Sequence, residues 1–430
     1  MARSQLKDLF QTSLENHDEN AEAAMLGGID SMEAACLEVE EAYQEVATVE
    51  QDLTDLEDIE GGLESVVESL EAALEQGGLD ATSAQFAHHA VGAYTERLGI
   101  ESADLLPGLE SFGGDSGRQS ATTVSLESVG ETLKKIWNAI KAAVEKAIKA
   151  VTDFFAKIFG GVSKIEGRID ALKKEVAEAK KKELSDKAKI KVGSANSLQL
   201  GGKVDAGALT KGMSNLVDVN KNVFGNAVKD AEEAYKTQAT EITKLKDKDD
   251  EGAAEAAQKA ILDKANDVIK AVLKTQGTIL PGDKTFVTED KTDGEKESSS
   301  VSLQTAKNAK AFAGSNEIDA LTVAQMEGLL KDAEEAIKHL KDSKDTIEKV
   351  KKARQDAMDA AKKVVDDSDR GRVGKVWTKG KAQWTLRSTQ RDLLRPVTQL
   401  ASHNFSVLRS VLAVVESSTK QYKEKKSGGE

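Results

Sequence analysis

Apolar residues return at steps of three and four through much of the first fifth of the chain. They fall at Met32, Cys36, Val39, Tyr43, Val46, Val49, Leu53, Leu56 and Ile59, and resume after Gly61-Gly62 at Leu63, Val67, Leu70 and Leu74. That period puts one stripe along an α-helix, as in an amphipathic helix or a coiled-coil seam. The opposite face is nearly all Glu and Asp. A face so acidic disfavours close self-packing, so the seam needs a basic partner or docking within the chain. A solvated helix of a bundle and a dimer zipper both fit the pattern. A second helix is expected over 82–98, ending near Gly99.

Residues 131–159 carry a second stripe. Leu133, Ile136, Trp137, Ile140, Val144, Ala147, Ile148, Val151, Phe154, Phe155 and Ile158 line one face. Lys134, Lys135, Lys141, Lys146, Lys149 and Lys157 occupy the other, and Gly160-Gly161 reads as a helix stop. A basic face opposite Trp and Phe is the pattern of a membrane-surface helix, and equally of a core helix. Leu133, Ile136, Trp137, Ile140, Val144, Phe154 and Phe155 are therefore candidate membrane or core residues.

Further helical stretches are expected at 163–191, 217–245, 251–275 and 321–367. Residues 193–214 are rich in Gly, Ser and Asn, and 277–300 contain Pro281-Gly282 and a Ser- and charge-rich run. The latter predicts a long loop with a short hairpin around Thr285-Phe286-Val287. The fold class is mainly α: an elongated helical bundle with coiled-coil segments, Gly/Ser-rich linkers and little β.

Composition sharpens this. With 430 residues, 39% hydrophobic and only 4% aromatic, the chain suits two to four units of packed helices rather than one dense core. The net charge of −14 hides two parts of opposite sign. Through Glu127 there are 28 acidic and four basic residues, net −24; beyond it there are 46 acidic and 56 basic, net +10. The step lies in the turn-forming run from Pro107-Gly108 to Thr123. The expected organisation is an acidic helical or coiled-coil propeptide (1–110), a flexible linker (111–127), and a basic amphipathic helix with the helix after it (128–192). A helical region with long loops (193–300) and a C-terminal helical domain (301–430) follow.

Candidate chemistry is sparse. One cysteine, Cys36, excludes an internal disulfide framework and a Cys-based zinc cluster. The start of the chain lacks the apolar core of a signal peptide, and no stretch of 18 residues is free of charge. Phosphate-loop, H-E-x-x-H and nucleophile-elbow motifs are absent. No cofactor, metal or enzymatic activity is expected. Between 370 and 395 eight basic residues, Arg370, Arg372, Lys375, Lys379, Lys381, Arg387, Arg391 and Arg395, face only Asp392, with Trp377 and Trp384 interleaved. They are candidate phosphate contacts, or a solvated face over buried Trp anchors.

A small residue, an apolar residue and Glu recur as a tripeptide. Of its copies, Gly108-Leu109-Glu110 before Ser111 and Ser125-Leu126-Glu127 before Ser128 lie outside the expected helices, at the charge step. A protease requires extended, accessible backbone, so these are the candidate cut points.

In these tripeptides, the acidic leader and the helical, Cys-poor remainder, the sequence resembles internal head proteins of large tailed phages, especially the phiKZ-like giant phages. The resemblance implies a virion structural protein of the capsid interior, made in the host cytoplasm with an acidic propeptide. It implies assembly into the prohead core, removal of the propeptide by a prohead protease, and ejection with the DNA. Its implied partners are other prohead proteins, the protease, non-specifically bound packaged DNA and a host membrane on ejection, with self-association possible. Two other readings stay open: a membrane-surface-binding protein acting through residues 133–159, and a cytoplasmic coiled-coil scaffold using the Met32 to Leu74 seam.

Overall fold

The three-and-four period of the acidic segment is realised as one helix, α1 (Ser31–Glu75). Met32, Cys36, Val39, Val46, Val49, Leu53, Leu56, Ile59, Leu63 and Leu70 of the expected seam are all buried. The glycine pair does not break α1; a Cβ on Gly62 would sit 2.2 Å from the Tyr94 ring, so the residue is small because an aromatic packs on it. The structure is a computed structural model that describes residues 31–101, 105–245, 251–293, 296–312, 316–366 and 374–424. Two compact units are present among them: Glu45–Ala150, and the remaining described residues, with the division falling inside α1 and α3 (Asp115–Ala179).

In the first unit, α1 turns at Gly77 and Gly78 into α2 (Ala81–Thr95), where the Asp80 side chain accepts from Ser83 N at 2.7 Å. A 3-10 turn (Glu96–Leu98) ends this helix at Gly99, as expected. Then α3 returns antiparallel to α1: Lys146 lies beside Asp52, and the Arg118 backbone backs onto Gly78. Leu79 N donates to Thr122 Oγ1 at 2.8 Å, and Ala84, Phe112 and Ala121 form a small core with Leu79.

In the second unit, residues 151–179 of α3 are followed by β1 (Glu183–Leu184), β2 (Lys189–Lys191) and α4 (Ala195–Leu198). Next come α5 (Ala206–Asn222), a π-helical turn (Val223–Ala227) and α6 (Val228–Leu245), then α7 (Glu251–Leu273). A hairpin, β3 (Lys284–Asp293) and β4 (Lys296–Thr305), leads to β5 (Glu317–Asp319). The chain closes with α8 (Val323–Asp342), α9 (Lys344–Asp366), α10 (Gly374–Thr419) and β6 (Tyr422–Lys423). Short antiparallel pairs join β1 to β6 and β2 to β5. Helix α6 packs on α7 and α9, α5 on α8, and α10 touches α7, α8 and the hairpin.

Two polar devices set register in this unit. Along α3, the residue just after it, and α8, Glu166 pairs with Lys341 (2.8 Å), Lys173 with Glu334 (2.8 Å) and Lys180 with Glu327 (3.6 Å). Each step is seven residues in opposite directions, so the three pairs fix an antiparallel register. In the core, Asn220 and Asn404 exchange amide hydrogen bonds at 2.7 and 2.9 Å, and Asn220 also donates to Ala336 O at 3.1 Å. The amides thereby tie α5, α8 and α10 at one level.

Several expectations need correction. The flexible linker placed at 111–127 is helical from Asp115, so the boundary at 127/128 lies inside α3. Only Gly113 and Gly114 turn the chain, Gly114 with φ +73. The Ser and Thr hydroxyls that suggested a loop bond instead to carbonyls four residues back: Thr122 to Arg118, Thr123 to Gln119 and Ser125 to Ala121. Gly160-Gly161 does not end the helix; a Cβ on Gly161 would meet the Phe405 ring at 2.7 Å, so it too serves close packing. The loop expected at 277–300 is largely the hairpin, whose base is fixed by buried Phe286 and Val301. The stretch 321–367 is two helices, broken where Ser343 caps α8 and its hydroxyl donates to Leu340 O at 2.6 Å. Within 193–214, Asp205 caps α5 by accepting from Ala208 N.

Candidate processing sites and charged surfaces

The two tripeptides meet different fates. Gly108 is extended and Leu109–Phe112 form one 3-10 turn, with Ser111 N donating to Gly108 O at 2.9 Å. Gly108, Leu109, Glu110 and Ser111 are exposed. The turn is pinned on both sides: the His88 ring bonds to Pro107 O at 2.9 Å, and Phe112 is buried against Ala84 and Ala121. The Glu110–Ser111 bond thus sits on the surface in a single short turn. By contrast Ser125, Leu126, Glu127 and Ser128 lie within α3. Ser125 is fully buried, Leu126 and Ser128 are half-buried, and Ser128 O accepts from Thr132 Oγ1 at 3.0 Å. Of the four, Glu127 alone is fully exposed. Opening that bond to a protease requires unwinding a helix on both sides of it.

The stripe on α3 is core. Ile136, Ile140 and Val144 are buried in the first unit and Phe154 and Phe155 in the second. Phe154 packs edge-on to Phe155 at 5.2 Å and lies 6.2 Å from the Tyr43 ring. Leu133 and Trp137 are half-buried, the latter under the Lys141 ammonium at 5.6 Å from the ring centroid. Lys134, Lys135, Lys146, Lys149 and Lys157 are exposed. Among the described residues no helix is long and apolar enough to cross a membrane.

The basic run is only partly visible. Arg370 and Arg372 lie outside the described residues, while Lys375, Lys379, Lys381, Arg387 and Arg391 fall on the first turns of α10. Arg395 is half-buried, and its carbonyl accepts from Thr398 Oγ1 at 3.0 Å. Cys36 is a core residue. Burial, with Glu33 and Glu40 nearby, pushes its thiol up to about 11 despite the opposing Arg409, so it is not a nucleophile. Among the described residues no group of three or more His, Cys, Asp or Glu is placed to hold a metal ion.

One grouping was not foreseen. Arg409 on α10 pairs with Glu33 on α1, and His403 and Lys284 lie together on the same side of α10. Only a polar stripe on α10 at three- and four-residue steps, Gln399, Ser402, Ser406 and Arg409, hinted at it.

Buried amphipathic stripes and ion-paired helix faces define a mainly α-helical protein. The chain belongs to the phiKZ-like phage internal head proteins, whose family model matches residues 32–417. That places it in the capsid interior of a phage head. No curated protein and no solved structure matches it. The match begins at Met32 and so takes in the acidic helix.

Proposed function

We propose that this chain is a packing protein of the phage capsid interior that is cut at Glu110–Ser111 during head maturation and keeps its acidic segment afterwards. The observation that supports this is the burial of α1. Ala35, Cys36 and Val39 belong to the core of the second unit, and Leu53, Leu56, Ile59 and Leu63 to that of the first. Exposing a buried Leu or Ile side chain costs about 1.5–3 kcal/mol. A nick in the surface turn breaks the chain but supplies nothing to offset that cost, so the acidic helix stays docked.

A retained α1 keeps the body acidic overall. Contact with packaged DNA is then local and non-specific, through exposed lysines such as Lys146, Lys149 and Lys157, and weakens steeply with salt. The other partners are prohead proteins and the maturation protease. The role is structural, with no reaction of its own. Burial of Ile136, Ile140, Phe154 and Phe155 favours a core role for that stripe over insertion into a host membrane.

Limited digestion of the pure chain with a Glu-specific protease tests this reading. The first cut is expected after Glu110, with both fragments co-eluting in native buffer and separating in denaturant. A first cut after Glu127, or an N-terminal fragment that elutes alone in native buffer, contradicts it.

A further inference from the structure

Helix α2 is unlike the rest of its unit. Residues 45–150 hold 20 acidic and seven basic side chains, net −13, yet Ala81–Thr95 contains no Asp, Glu, Lys or Arg. The inner face of this helix is accounted for: Ala84, Val91 and Thr95 are buried, and the Tyr94 ring lies against Gly62 of α1. Its outer face is Thr82, Phe86, His89 and Ala93, which follow at steps of four, three and four and are all exposed. Phe86 is 70% exposed, well beyond Leu37, Leu109 and Val124, the other exposed large apolar side chains among the described residues. Single apolar side chains on a surface are ordinary. An uncharged stripe with an aromatic standing out of it, in a unit otherwise dense in carboxylates, marks a contact surface.

The setting restricts what can cover this stripe. A nucleic acid or an anionic bilayer is repelled by a unit of net −13. A basic partner finds no carboxylate on the stripe to pair with. The complement is therefore an uncharged face with room for a phenyl ring, and α2 carries such a face itself. Ala90 and Ala93, one and two turns beyond Phe86, are small enough to admit a ring; residues 86 and 93 lie about 10.5 Å apart along the axis. Two copies of α2 laid antiparallel about a twofold axis midway between these positions bring each Phe86 to Ala93 of the other copy. Over the rest of the unit, two copies meet like charges. The seam of α1, the other stretch whose pattern suits self-pairing, is buried within the chain.

We propose that the outer face of α2 is a self-association surface, on which two copies of the chain pair as antiparallel helices with the Phe86 ring of each seated over Ala90 and Ala93 of the other. One face of a helix about 22 Å long is a small contact, at the weak and reversible end of protein interfaces. The acidic surroundings oppose it, so it tightens as salt screens them.

Sedimentation equilibrium of the full chain tests the proposal. The expected result is a monomer–dimer equilibrium with a dissociation constant between about 10 μM and 1 mM. It should tighten several-fold as ionic strength rises from about 0.1 to 1 M and the Debye length falls from about 10 to 3 Å. Phe86→Glu and Ala93→Glu should each weaken association by about tenfold or more. Both positions are exposed, so the thermal midpoint of the dilute chain is kept. Leu37→Ser, on the second unit, should leave association unchanged. Adding Ala93→Lys to Phe86→Glu puts opposite charges across the twofold axis and should recover part of the loss, most at low salt. A chain that stays monomeric at about 1 mM would overturn the proposal. So would association that survives Phe86→Glu, that is lost in Leu37→Ser, that weakens with salt, or that grows into open-ended oligomers. Failure of the double variant to recover would overturn the antiparallel register.

Discussion

Gly160 and Gly161 are neighbours on α3 with opposite constraints. A Cβ on Gly160 meets nothing within 4 Å, whereas one on Gly161 strikes the buried Phe405 ring at 2.7 Å and touches Ala35 at 3.5 Å. Gly160→Ala should therefore stabilise the protein by about 0.5–1 kcal/mol through helix propensity. Gly161→Ala should destabilise it by about 1–3 kcal/mol through overpacking. Urea denaturation of the two variants checks both signs, and equal effects would remove the packing argument. A glycine pair looks the same in sequence whether it stops a helix or admits a ring, because the ring comes from a residue more than two hundred positions away. Glu64 carries the pH dependence of the first unit. Burial, and then the neighbouring Glu68 carboxylate, push it up to about 7, above its unfolded value of 4.5. A carboxylate raised on folding lends its stability below about pH 4.5 and loses it as pH rises through about 7. The unit should melt at lower temperature at pH 8 than at pH 5.5, and Glu64→Gln should flatten that difference and raise the midpoint at pH 8. An unchanged slope in the variant would assign the effect to Asp52 or Glu71, which burial also raises.

At the scale of elements, the ion pairs and the asparagine pair make different demands. Glu166–Lys341, Lys173–Glu334 and Lys180–Glu327 are well exposed, so reversing one charge, as in Glu327→Lys, should cost less than about 1 kcal/mol and matter less in high salt. Asn220 and Asn404 are buried. Replacing either by Ala strands the other amide and should cost about 1–3 kcal/mol. The double Leu variant should cost less than the two single Leu changes added together, because it strands nothing; additive losses would show the two amides to be independent. The seam of α1 and the stripe of α3 were legible because an unbroken period of three and four survives any choice of partner. Residues 115–127 were not, because Ala121, Thr122 and Ser125 are buried by close helix approach and carry no hydrophobic signal. The hairpin was read only at its core: Phe286 marks it, but its Ser-rich second strand resembles a loop. The cleft between α1 and α10 was invisible because its walls come from 36–44, 284, 303 and 399–409.

For the whole molecule, the charge step at Glu127 is real in composition, but it is not a seam in the fold. The acidic helix supplies core to both units, and the basic helix after the step supplies the matching stripe in each. On the function proposed above, the acidic segment, because it contributes core residues, stays in the body after the chain is cut beside it. The most direct test is mass measurement of the protein taken from mature phage heads, in native and in denaturing conditions. The account predicts one species holding the whole folded body in native conditions, resolving in denaturant into pieces that end at Glu110 and begin at Ser111. A mature chain that begins at Ser111 or Ser128, with the acidic segment missing from the native species, would contradict it.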